Sequence, residues 1–367
     1  MKIAVTGTRG FPSIQGGVET HCKELYSRLS TYENTEIIVF GRKYYSPPEK
    51  PKSYGGVRLK WLPTVISPKF ETLCHTFLSI LHAKKEGADI MHIHACGSGL
   101  LVPLAKILGM KVVFTHHGED YKREKWGKTA RRVLKQGEKT AVRYADSLIC
   151  VSPHIGKTIS EEYGKTAKIL PNGINCNPKT SRMDEIKKFT ADREKYILAV
   201  GRIDPGKGFH YLIEAYRQAG LLKENVGLII VGGSEHASDY SENLKKLAEE
   251  NGVIMTGSLP SEDVMALMDG ACLYVLPSTH EGHPISLLEA MSMNKDILAS
   301  DIPSCRLPQL TENDFFAPGD IDSLSEALIR KVNHPATRTY DLSEYDWDKI
   351  AAETHRIYRE LMLTLQS

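Results

Sequence analysis

The feature that most restricts what this chain can fold into is one pattern met twice: short, continuous β-branched and apolar runs separated by longer stretches of helical period. In the first half, Lys2–Thr6, Glu36–Phe40, Val57–Leu62, Ile90–His94, Val112–Thr115, Ser147–Val151 and Lys168–Leu170 read as strands, with helical patterns between most of them. The runs are continuous rather than alternately polar, which predicts strands covered on both faces, as in a parallel sheet wrapped by helices. After Pro171-Asn172-Gly173 the apolar runs stop, and Pro178, Lys179, Thr180, Ser181 and a charged stretch to Glu194 read as a linker. The pattern then restarts at Tyr196–Val200, Val226–Val231, Val253–Thr256, Cys272–Leu276 and Asp296–Ala299. The expected architecture is α/β, with two Rossmann-like, doubly wound parallel-sheet domains facing a central cleft outside their strand ends. At 367 residues the chain has room for two such domains of roughly 150 residues each.

Composition narrows the classes further. Charged residues make up 25% and hydrophobic residues 41%, which excludes a disordered chain. Lys+Arg 47 against Asp+Glu 45 leaves a net charge of +2, so no global attraction to nucleic acid is expected. The seven cysteines are odd in number, contain no CxxC pair and scatter from Cys22 to Cys305, which is neither a disulfide nor a zinc framework. The run Ile3-Ala4-Val5 is too short for a signal peptide and no apolar stretch reaches the roughly 18 residues of a membrane span. These features predict a cytoplasmic protein that can still lie on a membrane surface.

Three segments carry chemistry. The first is Val5-Thr6-Gly7-Thr8-Arg9-Gly10-Phe11-Pro12, followed by Gly16-Gly17-Val18-Glu19-Thr20 and a helical pattern. Glycines at a strand end let backbone N–H groups approach an anion, although the spacing is not GxGxxG and a flexible turn capping a helix fits as well. A short-chain dehydrogenase reading, prompted by Thr6-Gly7 and by Tyr121 and Lys125 at YxxxK spacing, fails because nothing matches that family's glycine pattern and the second half is left without work.

The second segment is Gly201-Arg202-Ile203-Asp204-Pro205-Gly206-Lys207-Gly208, between a strand and a helix. It matches the GxxxxGK of a P-loop, but Gly208 stands where a hydroxyl would hold Mg²⁺. Two cations, Arg202 and Lys207, and a helix start remain. Charge-assisted hydrogen bonds of about 1.5–3 kcal/mol each suffice to stabilise a diphosphate leaving group without metal.

The third is Glu281-Gly282-His283-Pro284-Ile285-Ser286-Leu287-Leu288-Glu289, directly after an apolar strand. Pro284 marks a helix start, so the N–H groups of Ile285 and Ser286 can face a phosphate or sugar. Glu281 in the loop and Glu289 on the second turn can reach one ligand, and carboxylates suit sugar hydroxyls because they only accept hydrogen bonds.

Together, Gly16-Gly17, the Gly201–Gly208 segment and the Glu281/Glu289 pair resemble the retaining GT-B glycosyltransferases of family 4 (GT4), over nearly the whole chain. The segment Thr115-His116-His117-Gly118-Glu119-Asp120-Tyr121-Lys122-Arg123 and onward to Gly127 is similar to a bacterial subgroup of rhamnosyltransferases that build surface polysaccharide. The resemblance implies an acceptor-side domain over 1–175, joined by a C-terminal helix over 346–367, and a nucleotide-sugar domain over 176–345. It implies that Arg202 and Lys207 bind the donor diphosphate with Gly16 and Gly17 nearby, that Glu289 holds the ribose, and that the backbone at Leu259 holds the base. It places Glu281 on the donor sugar and His117 beside the reacting carbon, the two candidate catalytic residues. It further implies retention of configuration, same-face attack assisted by the leaving phosphate, a lipid-linked or other glycan acceptor, and no metal or other cofactor. Asp301-Ile302-Pro303-Ser304 departs from the Gly-Gly-x-Pro-Glu of many relatives. A sugar-nucleotide epimerase of the same fold and a non-catalytic nucleotide-sugar binding module are the rival readings.

Other features read as structure. His92 and His94 share one face of a strand end without a third nearby ligand in the sequence, which favours packing or a cleft role over metal. Asp320-Ile321-Asp322 resembles a metal-binding DxD but opens an amphipathic stretch, so a helix cap is expected. Asp346-Trp347-Asp348 begins the last helix, which in relatives crosses back onto the first domain. Between Lys122 and Arg143, nine Lys and Arg residues face only Glu124 and Glu138, with Trp126, Val133 and Leu134 interleaved. This stretch suits an anionic membrane or a solvated helix face, and RNA motifs are absent.

Overall fold

Both series of apolar runs form parallel sheets. The computed structural model describes residues 1–12, 14–65, 67, 70–123, 126–175, 187–190, 193, 195–234 and 238–363. The chain divides into two compact units, Met1–Gly173 with Glu344–Ser367, and Ile174–Ser343, two residues from each expected changeover. Pro178 to Ser181 of the expected linker lie outside the described residues.

The first unit runs β1 (Lys2–Thr6), α1 (Gly17–Leu29), β2 (Glu36–Arg42), β3 (Ser53–Tyr54), β4 (Val57–Leu62), α2 (Glu71–Lys85), β5 (Ile90–His94), α3 (Cys96–Gly99), α4 (Val102–Ile107), β6 (Lys111–His116), α5 (Lys128–Tyr144), β7 (Ser147–Cys150), α6 (Pro153–Tyr163) and β8 (Lys168–Ile169). Its sheet has the order β3-β4-β2-β1-β5-β6-β7-β8, and only the β3–β4 edge pair is antiparallel. The side-chain alternation of the strands feeds two cores. Ile3 and Val5 of β1 with Ile37 and Val39 of β2 enter one, while Ala4, Ile38 and Phe40 enter the other. Burial on both faces is why these strands read as unbroken apolar runs.

The second unit follows with α7 (Lys187–Thr190), β9 (Lys195–Val200), α8 (Phe209–Gln218), β10 (Val226–Val231), α9 (Asp239–Glu250), β11 (Ile254–Gly257), α10 (Ser261–Gly270), β12 (Leu273–Leu276), α11 (Ile285–Ser292), β13 (Ile297–Ser300), β14 (Phe315–Phe316) and α12 (Ile321–Asn333). Its sheet is parallel throughout, in the order β11-β10-β9-β12-β13-β14. Asp320 caps α12, its side chain accepting from Ser323 N at 3.0 Å, as the sequence predicts. The β13 side is tied to α12 by buried charges: Lys331 Nζ lies 2.7 Å from Asp296 Oδ1 and 2.6 Å from Asp314 Oδ1, and Arg338 binds both carboxylates. Each buried charge has an opposite partner, without which burial would be prohibitive.

The last helix, α13 (Trp347–Leu363), belongs to the first unit. Trp347, Ile350, Ile357 and Tyr358 complete the core behind β1 and β2 and pack with Leu25 and Tyr26 of α1. No described helix is long and apolar enough to cross a membrane.

Candidate functional site

In an open parallel sheet, ligands gather where the strand order reverses, because the loops leaving neighbouring strand ends diverge there. In the second unit the chain lays down β9, β10 and β11 to one side and then places β12 on the other side of β9. The loops after β9 and β12 flank that reversal and carry Arg202, Lys207 and Glu281.

Local hydrogen bonds set their positions. Gly201 N donates to Val231 O at 2.9 Å and Ile203 N to Gly233 O at 3.0 Å, which fixes the main chain on either side of Arg202. Asp204 accepts from Gly206 N at 3.0 Å and opens a 3-10 turn that ends at Lys207. Thr279 N donates to Gly206 O at 2.9 Å, stitching the two loops together. Gly208 has φ +67°, and a Cβ there would sit 2.0 Å from Pro277 O. A P-loop Ser or Thr cannot occupy that place, which is the physical reason for the mismatch in the motif.

The stitched loops bring Lys207 Nζ to 2.5 Å from Glu281 Oε1, an oxygen that also accepts from Ser278 Oγ at 2.7 Å. Lys207 is thus paired with the second sequence-predicted site residue, Glu281, a contact that the sequence does not show. The side chains are 21% and 10% exposed, so water screens the pair only in part.

Pro284 sits one place earlier than a first helical residue, at the N-cap of α11. Its carbonyl accepts from Leu287 N at 3.2 Å, so the amides of Ile285 and Ser286 precede the first intrahelical bond. Ile285, Ser286 and Glu289 share the partly exposed face of α11, while Leu287, Leu288, Ala290 and Met291 are buried. Leu259 is buried just beyond β11, after Gly257 at φ +73°. In the divergent segment, Asp301 binds Arg306 through two hydrogen bonds, 2.6 and 2.8 Å.

In the first unit the order reverses between β1 and β5. Glu19 of α1 accepts from Arg9 N at 3.0 Å and forms an ion pair with Arg9 Nη2 at 2.9 Å. Burial pushes the Glu19 carboxyl up, but Arg9 outweighs it and the net direction is down. Gly16 lies at φ +152°, where a Cβ would meet Glu19 Oε2 at 2.2 Å, whereas a Cβ on Gly17 would meet open space. The positive φ calls for glycine at the first position, and a Cβ there would also push apart the Arg9–Glu19 pair.

His117 follows β6 and its Nε2 lies 2.8 Å from His94 Nδ1 at the end of β5. The His21 ring, from α1, packs edge-on against His117 at 4.7 Å between centroids, and His21 Nδ1 bonds Asn172 Oδ1 at 2.9 Å. Burial pulls His21 down to about 4 and moves His94 and His117 in the same direction, reinforced by the neighbouring imidazoles. His92 and His94 are fully buried and stacked at 4.4 Å, but the cluster extends beyond the two residues legible on the strand.

Among the described residues, His21, His94 and His117 bring one possible ligand atom each within 4.8 Å of the others, and so do Cys96, His116 and Glu138. The second group is a hydrogen-bonded support. His116 Nδ1 accepts from Gly118 N at 3.2 Å, so its proton is on Nε2, which donates to Glu138 Oε2 at 2.7 Å. Glu138 also accepts from Lys135 at 2.8 Å and Tyr163 at 2.6 Å; these partners overcome burial and lower its carboxyl to about 2. Sequence reasoning missed this support and the Arg9–Glu19 pair, whose partners lie on different elements.

The basic stretch divides on folding. Lys122 and Arg123 pair with Glu119 and Asp120, and Lys135 with Glu138 and Glu162. Lys128, Arg131, Arg132, Lys139 and Arg143 are exposed on α5, while Glu124 and Lys125 lie outside the described residues. Another unanticipated feature is the exposed apolar series of Phe70, at the N-cap of α2, and Phe77 and Leu81 along it.

Comparison with known proteins finds glycosyltransferases. Residues 15–177 match the family described as Glycosyltransferase Family 4, and residues 181–345 match Glycosyl transferases group 1. An uncharacterized glycosyltransferase of Methanocaldococcus jannaschii is 25% identical, covering 99% of each chain. The UDP-Gal:alpha-D-GlcNAc-diphosphoundecaprenol alpha-1,3-galactosyltransferase of Escherichia coli is 29% identical over 67% of each chain. The sucrose-phosphate synthase of Thermosynechococcus elongatus has a similar structure, with TM-score 0.82, 22% identity and 99% of each chain covered.

Proposed function

Because the chain is a GT-B-fold glycosyltransferase related to both matched families, we propose that it is a retaining hexosyltransferase that moves a sugar from a nucleotide diphosphate to a glycan or lipid-linked glycan acceptor. The observation that carries this reading is the Lys207–Glu281 pair beside Arg202 at the β9/β12 reversal.

Cleavage of the donor's anomeric bond develops negative charge on the leaving diphosphate and positive charge on the sugar ring. Cations already held in place lower that barrier without reorganising during the reaction. An ammonium has three N–H donors and the bond to Glu281 uses one, so Lys207 can bind a phosphate oxygen while Glu281 keeps it aimed. Arg202 supplies the second cation and the first-turn amides of Ile285 and Ser286 a third set of donors. Gly16 and Gly17 belong beside the same phosphates, Glu289 on the ribose, the backbone at Leu259 on the base, Glu281 on the donor sugar, and His117 near the reacting carbon.

Rhamnose as the transferred sugar rests on the Thr115–Gly127 resemblance. A lipid-diphosphate acceptor is supported by the name of the Escherichia coli relative and by the exposed cations of α5, with Phe70, Phe77 and Leu81 supplying apolar surface on the same unit. On this reading the enzyme works at the cytoplasmic face of the plasma membrane, with no nucleic-acid partner.

Product analysis with a panel of nucleotide sugars tests the reading. Release of nucleoside diphosphate and a glycosylated product only with acceptor is expected. Conversion of donor without acceptor would identify an epimerase instead, and binding without nucleotide release a non-catalytic module.

A further inference from the structure

A hydrogen-bonded chain runs through the core of the first unit to His117. Tyr358 OH lies 2.5 Å from His92 Nδ1, and His92 Nε2 lies 2.7 Å from Thr115 Oγ1. Tyr26 OH lies 2.6 Å from His94 Nε2 and 2.9 Å from His92 Nδ1. The chain ends at the 2.8 Å contact between His94 Nδ1 and His117 Nε2. Tyr26, His92, His94 and Tyr358 are fully buried, so these contacts are not diluted by solvent.

A metal does not suit this chain. Two nitrogens bound to one tetrahedral zinc at about 2.0–2.1 Å stand about 3.3 Å apart. His94 and His117 are closer than that, at the distance of a shared proton.

The proton direction follows from counting hydrogens. Each phenol has one, and a neutral imidazole has one. Given to their shorter contacts, the phenol hydrogens go from Tyr358 to His92 Nδ1 and from Tyr26 to His94 Nε2. His92 then donates from Nε2 to Thr115. His94, accepting at Nε2, carries its hydrogen on Nδ1 and donates to His117 Nε2. The opposite direction would have His94 donate to Tyr26 and Tyr26 to Tyr358, which replaces the strong O–H···N bond from a phenol to an imidazole at 2.6 Å with a weaker N–H···O bond to a phenol oxygen.

We propose that Tyr26 and His94 are positioning residues that hold His117 as a neutral imidazole with its proton on Nδ1, the nitrogen not engaged by His94. His117 then presents an N–H donor, suited to a sugar hydroxyl or oxyanion, and cannot act as a base through Nε2. Burial of the neighbouring rings favours the same neutral state. The inference rests on the placement of His117 beside the reacting carbon.

The test is two-bond ¹H–¹⁵N correlation on the full chain labelled with ¹⁵N-histidine, His117 being assigned with His117→Gln. A neutral ring protonated on Nδ1 is expected; a ring protonated on Nε2, or a charged one, near neutral pH overturns the proposal. Tyr26→Phe removes the donor to His94. It should give His117 a mixed tautomer and lower kcat about tenfold while changing the donor KM less than about twofold. A Tyr26→Phe protein matching wild type in both tautomer and kcat refutes the positioning role. If His117→Ala turns over normally, the placement of His117 at the reacting centre is what fails, and the tautomer measurement separates that outcome from failure of the relay.

Discussion

Lys207 and Glu281 are 74 positions apart in the chain and meet at 2.5 Å, because the loops after β9 and β12 are hydrogen-bonded to each other through Thr279 and Gly206. The cation assigned to the leaving phosphate and the carboxylate assigned to the sugar are thus one preassembled unit.

Removing either diphosphate cation should be costly. Arg202→Ala or Lys207→Ala is expected to lower kcat at least about 100-fold, corresponding to about 2.7 kcal/mol of transition-state stabilisation. Lys207→Ala also removes a cation from the part-buried Glu281 carboxylate, so Lys207→Ala/Glu281→Gln should fold more stably than Lys207→Ala alone. Near-normal turnover of the single variants in a steady-state assay would remove both residues from the leaving-group site.

Activity should survive chelation. Gly208 occupies the place of a P-loop hydroxyl and its surroundings leave no room for a side chain, so the proposed function assigns the leaving phosphate to Arg202, Lys207 and the α11 amides. Dialysis against EDTA is expected to leave kcat unchanged. Loss of turnover restored by Mg²⁺ or Mn²⁺ would contradict this.

The exposed face of α5 should respond to lipid charge. Neutralising Lys128, Arg131 and Arg132 together is expected to weaken binding to phosphatidylglycerol-containing vesicles by about 3 kcal/mol, at roughly 1 kcal/mol per cation. Cosedimentation at low and high salt measures this, and unchanged binding would leave the face as ordinary solvated surface.

Acid should destabilise the fold before its carboxylates titrate. Burial lowers His21 and His283 to about 4 and His75 to about 3, from an ordinary value of 6.5. Below 6.5 the unfolded chain takes up protons that the folded chain refuses, so stability falls with pH by up to about 1.4 kcal/mol per unit for each histidine. Glu138, lowered to about 2, contributes stability that is lost only as pH drops below the ordinary 4.5 towards that value. Urea denaturation at about pH 7.5 and about pH 5 should show lower stability at the acid value. Equal stabilities would mean that the histidines are charged inside the fold.

Among the described residues, twelve of the fourteen strands were legible, most of them because burial on both faces writes unbroken apolar runs into the chain, whereas the two-residue β3 and β14 were not. Asp320 was readable as a cap because capping is local. The segments carrying Arg202, Lys207, Glu281 and Glu289 stood out by glycine, proline and charge, yet the contact between Lys207 and Glu281 depends on strand order. Likewise His92 and His94 were visible on one strand face, whereas Tyr26, His117 and Tyr358 join them only through packing of α1, β6 and α13.

The most direct test of the diphosphate site is a crystal structure of the protein soaked with UDP, dTDP or GDP. The account predicts a nucleoside diphosphate with its phosphates on Arg202 and Lys207 and its ribose on Glu289. A nucleotide bound elsewhere, with Lys207 and Glu281 still closed on each other, would contradict it.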